Sequence, residues 1–339
     1  MNGQFDPKRN GAPEEAAEKS SLRADHLQIG LPILAVAFIF LLSSVLQALI
    51  ATLIAAASPR LLDLPGVSLV LSMLPMYLVA MPLSLLLYRL VPKRELACKA
   101  ISFPTRLALL SLCFGLTYLG SFLGTALNFA VGALSGQMPE NALQDVTEGS
   151  PLWLTLLFAG ILAPILEEIF FRKLLIDRLV IYGDLPAVLL SGVVFGLVHG
   201  NFYQFFYAAA VGVVFGYVYI RTGKLRYTVA LHMAVNLVGT VYTTAMLRKL
   251  DLSLLETDPA LGLLRSFGGL SMMASYYLFM LAVLVSLPFA ILHLRRMIRF
   301  RRGERTLTLR EWARVLLLNP AVWCFLAVCV FFFAMALLA

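Results

Sequence analysis

The sequence predicts an all-α integral membrane protein with eight or nine transmembrane helices and a polar cavity inside the bilayer. Of its 339 residues 60% are hydrophobic and only 14% are charged, whereas soluble domains contain about 45–50% apolar and about 25% charged residues. The apolar residues form long runs, and about 20 helical residues cross a hydrocarbon core of about 30 Å. A few ionisable residues interrupt these runs, where each charge costs at least about 2.5–3.5 kcal/mol. Such residues are expected to face a shared interior cavity.

The apolar runs and the loops between them predict how the chain crosses the membrane. The runs lie at 31–57, 67–90, 107–134, 152–171, 186–200, 202–220, 228–246, 276–294 and 315–339. Lysine and arginine cluster in alternate loops, at 89–106, 172–178, 221–226 and 295–314. Because cytoplasmic loops are enriched in these residues, we predict a multi-pass protein of the plasma membrane with a cytoplasmic N-terminus. The net charge of +8 then indicates contact with membrane lipids and not with nucleic acid.

Composition and motifs divide the chain into four parts. Residues 1–28 are polar and mixed in charge, which predicts a disordered cytoplasmic tail. Residues 29–149 contain the N-terminal transmembrane helices, and residues 150–246 contain the polar residues at membrane depth. Residues 247–339 complete the bundle with further transmembrane helices and a basic cytoplasmic loop.

Two adjacent carboxylates, Glu167 and Glu168, lie in the fourth run. Adjacent residues of a helix point about 100° apart, so the two side chains are expected to have different roles. Glu168 and Arg172 are four residues apart on one face, which predicts an ion pair. Glu167 has no partner at helical spacing, and a free carboxylate is a candidate general base. The alternative is that both glutamates lie at the headgroup level beside Arg172 and Lys173.

Two histidines and an asparagine occupy the next runs at helical spacing. Phe195 and His199 are four residues apart, and so are His232 and Asn236. Each residue taken alone has a structural explanation, since an asparagine in a span often bonds to the backbone of a neighbouring helix. Because three neighbouring runs each contribute such groups, we predict one shared cavity that contains water.

This shared cavity places a condition on the lengths of two helices. If the fourth and fifth runs both spanned the bilayer fully, Glu167 and His199 would lie most of a bilayer apart. We therefore predict that the fourth helix continues to about Tyr182, so that Glu167 is near its middle. A fifth helix that begins at Pro186 places His199 only about 20 Å along it, at a rise of about 1.5 Å per residue.

Three short segments carry a resemblance to a known family. EEIFFR (167–172), FGLVH (195–199) and HMAVN (232–236) have the patterns EExxxR, FxxxH and HxxxN, in this order. In these motifs, over about residues 150–245, the chain resembles the CPBP family of CAAX proteases and bacteriocin-processing proteins, also called type II CAAX prenyl endopeptidases or the Abi family. The resemblance implies an intramembrane endopeptidase that cleaves near the C-terminus of a lipidated or membrane-embedded peptide or protein.

The resemblance also implies a role for each motif residue. Glu167 would activate a water molecule that His199 also holds, and His232 and Asn236 would stabilise the oxyanion of the tetrahedral intermediate. The supporting residues would be Glu168, Arg172 and Phe195.

The need for a metal is a separate question. If a divalent ion such as zinc takes part, its ligands would be Glu167, His199 and His232. No histidine begins an HExxH motif, the helical signature of zinc proteases. A glutamate that ligates a metal tightly is also a poor free base, so we expect a metal-independent glutamate mechanism.

Two other classes of function remain open on the sequence. One is a non-catalytic membrane regulator of the bacteriocin-immunity type within the same family. The other is a transporter, because polar groups near the midplane also mark ion pathways. The transporter is less favoured, since the sequence shows no paired halves with matching broken helices.

Overall fold

The computed structural model describes residues 11–139 and 141–338, and this part of the chain is helical without a β-strand. Its helices are α1 (Gly11–Ala57), α2 (Val67–Arg89), α3 (Phe103–Ser135), α4 (Ala142–Glu148), α5 (Leu152–Tyr182), α6 (Asp184–Leu197), α7 (Phe202–Thr222), α8 (Leu225–Leu247), α9 (Leu252–Thr257), α10 (Pro259–Arg295), α11 (Leu309–Leu317) and α12 (Pro320–Leu338). Within the described residues, eight helices are long and apolar enough to cross a membrane, all except α4, α6, α9 and α11. The predicted all-α integral membrane class is confirmed.

The lengths of α5 and α6 decide where the site can form. Helix α5 has 31 residues, and Glu167 lies near its middle, as predicted from the position of Tyr182. Its hydrogen bonding widens to the π-helical pattern over Leu156–Leu162 and Ile169–Ile176, on either side of the two glutamates, and such wide turns are frequent at functional sites. Helix α6 has only 14 residues, or about 21 Å. It corresponds to the fifth apolar run, which is therefore too short to cross the bilayer by itself.

The basic loops lie together at one end of the bundle. The backbone N–H of Lys99 donates to the carbonyl of Thr222 at 2.8 Å, and the side chains of Arg94 and Glu304 form an ion pair of 2.5 Å. At the turn between α5 and α6, Asp184 pairs with the guanidinium of Arg301 at 3.2 Å. Three of the four basic segments read as loops from the sequence therefore lie at one end of the bundle. The reading of 172–178 as a loop is wrong, because this segment belongs to α5 and Arg172 is buried there.

The predicted disordered tail at 1–28 is wrong for residues 11–28, which belong to α1; residues 1–10 lie outside the described part of the chain. Asp25 is only 3% exposed, because it accepts hydrogen bonds from Tyr182 at 2.9 Å and from Arg305. The side chain of Gln28 donates to the carbonyl of Arg178 at 2.7 Å. The polar composition predicted that this segment is exposed to solvent. Partners that are distant in the sequence instead form hydrogen bonds with its polar side chains inside the fold.

Helices α6 and α7 pack closely because glycines line their contact. A methyl group added at Gly196 would lie 2.6 Å from Cβ of Ala209, and one added at Gly192 would lie 2.8 Å from the backbone nitrogen of Val213. Small residues at a helix interface allow such an approach in membranes. The contact holds the end of α6, and with it His199, against the centre of the bundle.

We expect Gly196→Ala to destabilise the protein by about 1–3 kcal/mol, the usual cost of forcing atoms into a packed interior. The measurement is the free energy of unfolding in detergent micelles. Gly239→Ala is the matched control, since a methyl group there meets nothing within 4 Å and alanine favours helix by up to about 1 kcal/mol. Equal stability of the two variants would contradict the close packing of α6 on α7.

Candidate active site

The adjacent carboxylates of α5 occupy different environments. Glu168 is fully buried, whereas the side chain of Glu167 is 20% exposed and lines a cavity of about 200 Å³ inside the bundle. The position near the middle of α5 and the complete burial of Glu168 contradict the alternative that both glutamates lie at the headgroup level. Helical geometry separates the two side chains, as the sequence predicted.

The predicted ion pair between Glu168 and Arg172 is confirmed. Nε of Arg172 lies 3.1 Å from Oε2 of Glu168 and its terminal nitrogen 3.4 Å from Oε1, and both side chains are fully buried. The guanidinium also donates to Oγ of Ser191 at 2.6 Å and lies over the rings of Phe195 and Phe215, at 4.9 and 5.7 Å from their centroids. Every charged group of the pair is therefore compensated inside the protein.

His232 lies between the two glutamates. Its Nδ1 is 3.1 Å from Oε1 of Glu168, and its Nε2 is 3.7 Å from Oε2 of Glu167. Because a carboxylate accepts hydrogen bonds when ionised, Nδ1–H donates to Glu168 and Nε2 faces Glu167. A carboxylate that orients an imidazole in this way is a recurring arrangement in hydrolases. Glu168 therefore links Arg172 to the orientation of His232, which sequence spacing did not show.

His199 follows the end of α6 and lines the same cavity. Its Nδ1 lies 2.7 Å from the carbonyl oxygen of Phe195. A carbonyl only accepts, so this nitrogen carries the proton and Nε2 of the neutral ring keeps a lone pair. The ring of Phe195 contacts the rings of His199 and His232 edge to face, with centroids 5.0 and 5.6 Å away. Phe195 thus separates and supports the two histidines.

Asn236 lies one helical turn beyond His232 on α8. Its side-chain Nδ2 donates to the carbonyl of Ala159 on α5 at 2.9 Å, and the residue lines the cavity. One N–H bond of the amide fixes the side chain, and the second remains as a donor. The sequence anticipated a backbone partner on another helix as the structural alternative, and the structure shows that this bond and a position at the cavity occur together.

The cavity brings together the four residues for which a catalytic role was predicted. They are Glu167, His199, His232 and Asn236. The cavity volume of about 200 Å³ suffices for several water molecules, each of which takes about 30 Å³ in the liquid. Their roles stay predictions, but their convergence from α5, the end of α6 and α8 is a feature of the structure.

Three further polar residues line the cavity and were missed from the sequence, namely Gln204, Tyr207 and Thr240. Gln204 donates to the hydroxyl of Tyr207 at 3.1 Å and accepts from Asn201 at 2.9 Å. Asn201 caps the N-terminus of α7. The spacing of three residues between Asn201, Gln204 and Tyr207 was a signal, but uncharged polar groups near a helix start are too common to indicate a site by themselves.

The candidate metal ligands do not assemble into a three-ligand site among the described residues. Within residues 11–139 and 141–338, no group of three His, Cys, Asp or Glu side chains is placed so that it could hold a metal ion. No catalytic step is therefore derived through a metal.

Comparisons with known proteins agree with the position of this site. The sequence profile of the type II CAAX prenyl endopeptidase Rce1-like family matches residues 149–238. A Bacillus subtilis (strain 168) protein named "Putative membrane peptidase YdiL" is 34% identical over 104 residues, which are 30% of this chain and 42% of that relative. The chain thus spans less than half the length of this relative. No solved structure matches the chain.

The matched segment contains the two glutamates of α5, both cavity histidines and Asn236. It begins just before α5 and ends just after Asn236, so it coincides with the helices that build the site. In residues 149–238 the chain is therefore similar to the Rce1-like family of type II CAAX prenyl endopeptidases.

Proposed function

We propose that this protein is an intramembrane endopeptidase that hydrolyses a peptide bond near the C-terminus of a lipidated or membrane-associated substrate. One observation supports this most strongly. Glu167 faces a cavity without a hydrogen-bond partner among the described residues, opposite a histidine that a second, ion-paired glutamate orients. A structural glutamate at membrane depth would be held by close hydrogen bonds, as Glu168 is, because a charge there is costly. Glu167 instead has one looser contact, at 3.7 Å from Nε2 of His232.

In the proposed reaction Glu167 takes a proton from a cavity water, and the resulting hydroxide attacks the carbonyl carbon of the scissile bond. Nε2 of His199 accepts a hydrogen bond from the same water and so directs its lone pair to the carbon. The oxyanion that forms accepts hydrogen bonds from the free amide N–H of Asn236 and from Nε2–H of His232. Glu167 then passes its proton to the leaving nitrogen, and the carbon–nitrogen bond breaks.

The oxyanion step requires His232 to carry protons on both ring nitrogens. In the doubly protonated ring Nδ1–H donates a hydrogen bond to Glu168 at 3.1 Å, and Nε2–H lies on the side of Glu167. Arg172 compensates the negative charge of Glu168 and holds its carboxylate in place. Glu168 and Arg172 are therefore positioning residues, because they act on the reaction only through the orientation of His232.

The experiment is a cleavage assay with the purified full chain in vesicles. The substrate is a quenched fluorescent peptide with a farnesylated cysteine three residues before its C-terminus, beside the same peptide without the lipid. Mass spectrometry identifies the bond that is cut, and the Glu167→Gln protein is the inactive control. We expect cleavage by the wild type with preference for the lipidated peptide. No cleavage by the wild type would favour the non-catalytic regulator, whereas equal cleavage by the control would show that Glu167 is not the general base.

We propose that catalysis is independent of metal. Activity should change by less than about twofold on prolonged treatment with 1,10-phenanthroline or EDTA, since a ligand set is absent among the described residues and the three candidate ligands have other roles. The measurement is the initial rate of peptide cleavage before and after chelation, with a known zinc protease as the positive control. A loss of activity that added Zn²⁺ restores would instead make Glu167, His199 and His232 metal ligands.

The orientation of the site follows from the loop charges and is also a proposal. The end of the bundle that carries Lys99, Arg94 and Arg301 would face the cytoplasm of a cell whose plasma membrane holds the protein. The N-terminus would then be cytoplasmic. Labelling of single cysteines placed in the loops at 90–102 and 136–139 by a membrane-impermeant reagent on whole cells tests this orientation.

A further inference from the structure

A groove on the outer side of the bundle lies between α3 and α8, away from the catalytic cavity. Its volume is about 570 Å³, and none of its lining residues lines the catalytic cavity. Leu109 and Leu231, which are 4% and 7% exposed, belong to the hydrophobic core beneath it. His232 and Asn236 point to the catalytic cavity from the other side of the same helix, α8.

Two arginines lie at the end of this groove that is near the basic loops. Arg106 is in the first turn of α3 and Arg226 in the first turn of α8, and both are exposed. Arg106 lies over the ring of Phe103 at 5.4 Å, and Arg226 contacts the hydroxyl of Tyr227 at 3.2 Å. Among the described residues neither arginine has a carboxylate partner. Their charge is thus available to an anion.

The groove below the arginines is apolar and narrow. Arg226, Ala230 and Ala234 follow one another at intervals of four residues along one face of α8, which is a distance of about 12 Å from the first to the last. Leu107 and Leu110 of α3 form the opposite wall. Small side chains on one helix and large ones on the other leave a slot that runs from the membrane surface into the hydrocarbon region.

From this arrangement we propose that the groove binds one anionic phospholipid. The phosphate lies between Arg106 and Arg226, the ring of Tyr227 lies at the headgroup level, and an acyl chain fills the slot along Ala230 and Ala234. Basic pockets between transmembrane helices on the cytoplasmic side bind anionic headgroups in this way, and aromatic residues favour the interface. The first turns of α3 and α8 add the positive ends of two helix dipoles.

The charge pattern favours a lipid over a soluble anion. A free phosphate would need only the two arginines, whereas the structure also supplies an apolar slot directly below them, and no acidic residue lines the groove within the described part of the chain. A zwitterionic lipid such as phosphatidylcholine also has a phosphate, but its choline cation balances that charge, so it would leave the two arginines without a net anionic headgroup. The proposal does not depend on the protease activity, because it concerns binding alone.

The test is a titration of the purified, delipidated full chain with phosphatidylglycerol, phosphatidylcholine and inorganic phosphate, followed by native mass spectrometry. The double variant Arg106→Gln/Arg226→Gln should weaken phosphatidylglycerol binding about 30-fold, since each arginine near an anionic surface contributes about 1 kcal/mol. Phosphatidylcholine binding should not change. The matched control Arg296→Gln/Arg299→Gln removes two exposed charges from the same side and should leave phosphatidylglycerol affinity unchanged.

Two further arms examine the apolar half of the site. Ala234→Leu fills the slot without changing charge and should weaken phosphatidylglycerol binding about tenfold, at unchanged thermal stability. Inorganic phosphate in excess should not displace the lipid. Retention of phosphatidylglycerol by the double arginine variant overturns the proposal. Displacement by phosphate, or wild-type affinity in Ala234→Leu, overturns it too, because the site would then bind an anion without the acyl chain.

Discussion

Replacing Glu167 by glutamine is expected to lower kcat/KM for peptide cleavage by about 10²- to 10⁴-fold, the usual contribution of a general base. The amide of glutamine has nearly the shape of the carboxylate but cannot take a proton from water. Because Glu167 lines the cavity and is not part of the buried Glu168–Arg172 pair, the substitution should leave the fold intact. The initial rate of cleavage and the free energy of unfolding, measured on the same preparation, check both expectations.

The matched control for this substitution is Glu256→Gln, which changes an exposed glutamate on α9 and should leave the rate unchanged. His199→Gln supplies an independent comparison, because it removes the Nε2 lone pair that would hold the attacking water. If Glu167→Gln retained the wild-type rate while His199→Gln lost it, the base would be a different group and the proposed mechanism would be wrong.

Replacing Arg172 by methionine is expected to cost about 3–5 kcal/mol of the free energy of unfolding, the usual effect of breaking a buried ion pair by removing one partner. Methionine has a similar length but leaves the fully buried Glu168 carboxylate without its cation. It also leaves Oγ of Ser191, which accepts from Arg172 and donates to the carbonyl of Phe171 at 2.8 Å, with only one partner. Reversible unfolding in mixed detergent micelles measures the loss.

The double variant Glu168→Gln/Arg172→Met separates the loss of a pair from the exposure of one charge. It should be more stable than Arg172→Met alone, because the uncompensated carboxylate is gone. It should nevertheless be less active than the wild type, since Nδ1–H of His232 then faces a neutral amide in place of the charged carboxylate that orients it. Arg265→Gln, at an exposed position of α10, is the control for removing an arginine. A double variant no more stable than Arg172→Met would contradict the assignment of the cost to the charge of Glu168.

The contacts within one helix could be predicted from the sequence. Glu168 and Arg172 are separated by one helical turn, and so are Phe195 and His199, whose ring nitrogen bonds to the carbonyl of Phe195. Such contacts depend on a rise and rotation per residue that hardly vary between helices. The long α5 was also predicted, because the motifs could share a cavity only if Glu167 lay near the middle of its helix.

Contacts between distant segments could not be predicted in this way. The N-terminal tail was expected to be disordered because its residues are polar, yet Asp25 is bound by Tyr182 and Arg305. These contacts depend on partners that lie far away in the chain, so no local pattern reports them.

The sequence by itself determined the class of protein and the residues of the candidate site. Hydrophobic runs of sufficient length require helices in a bilayer, since backbone groups must be satisfied within each segment, and the rarity of ionisable residues at that depth makes each one conspicuous. Only the tertiary structure decided how these residues are arranged. Three features arise from the packing of separate helices: the orientation of His232 between Glu167 and Glu168, the bond from Asn236 to Ala159 and the groove beside Arg106. This packing is set by side-chain shape over the whole bundle and by no single motif.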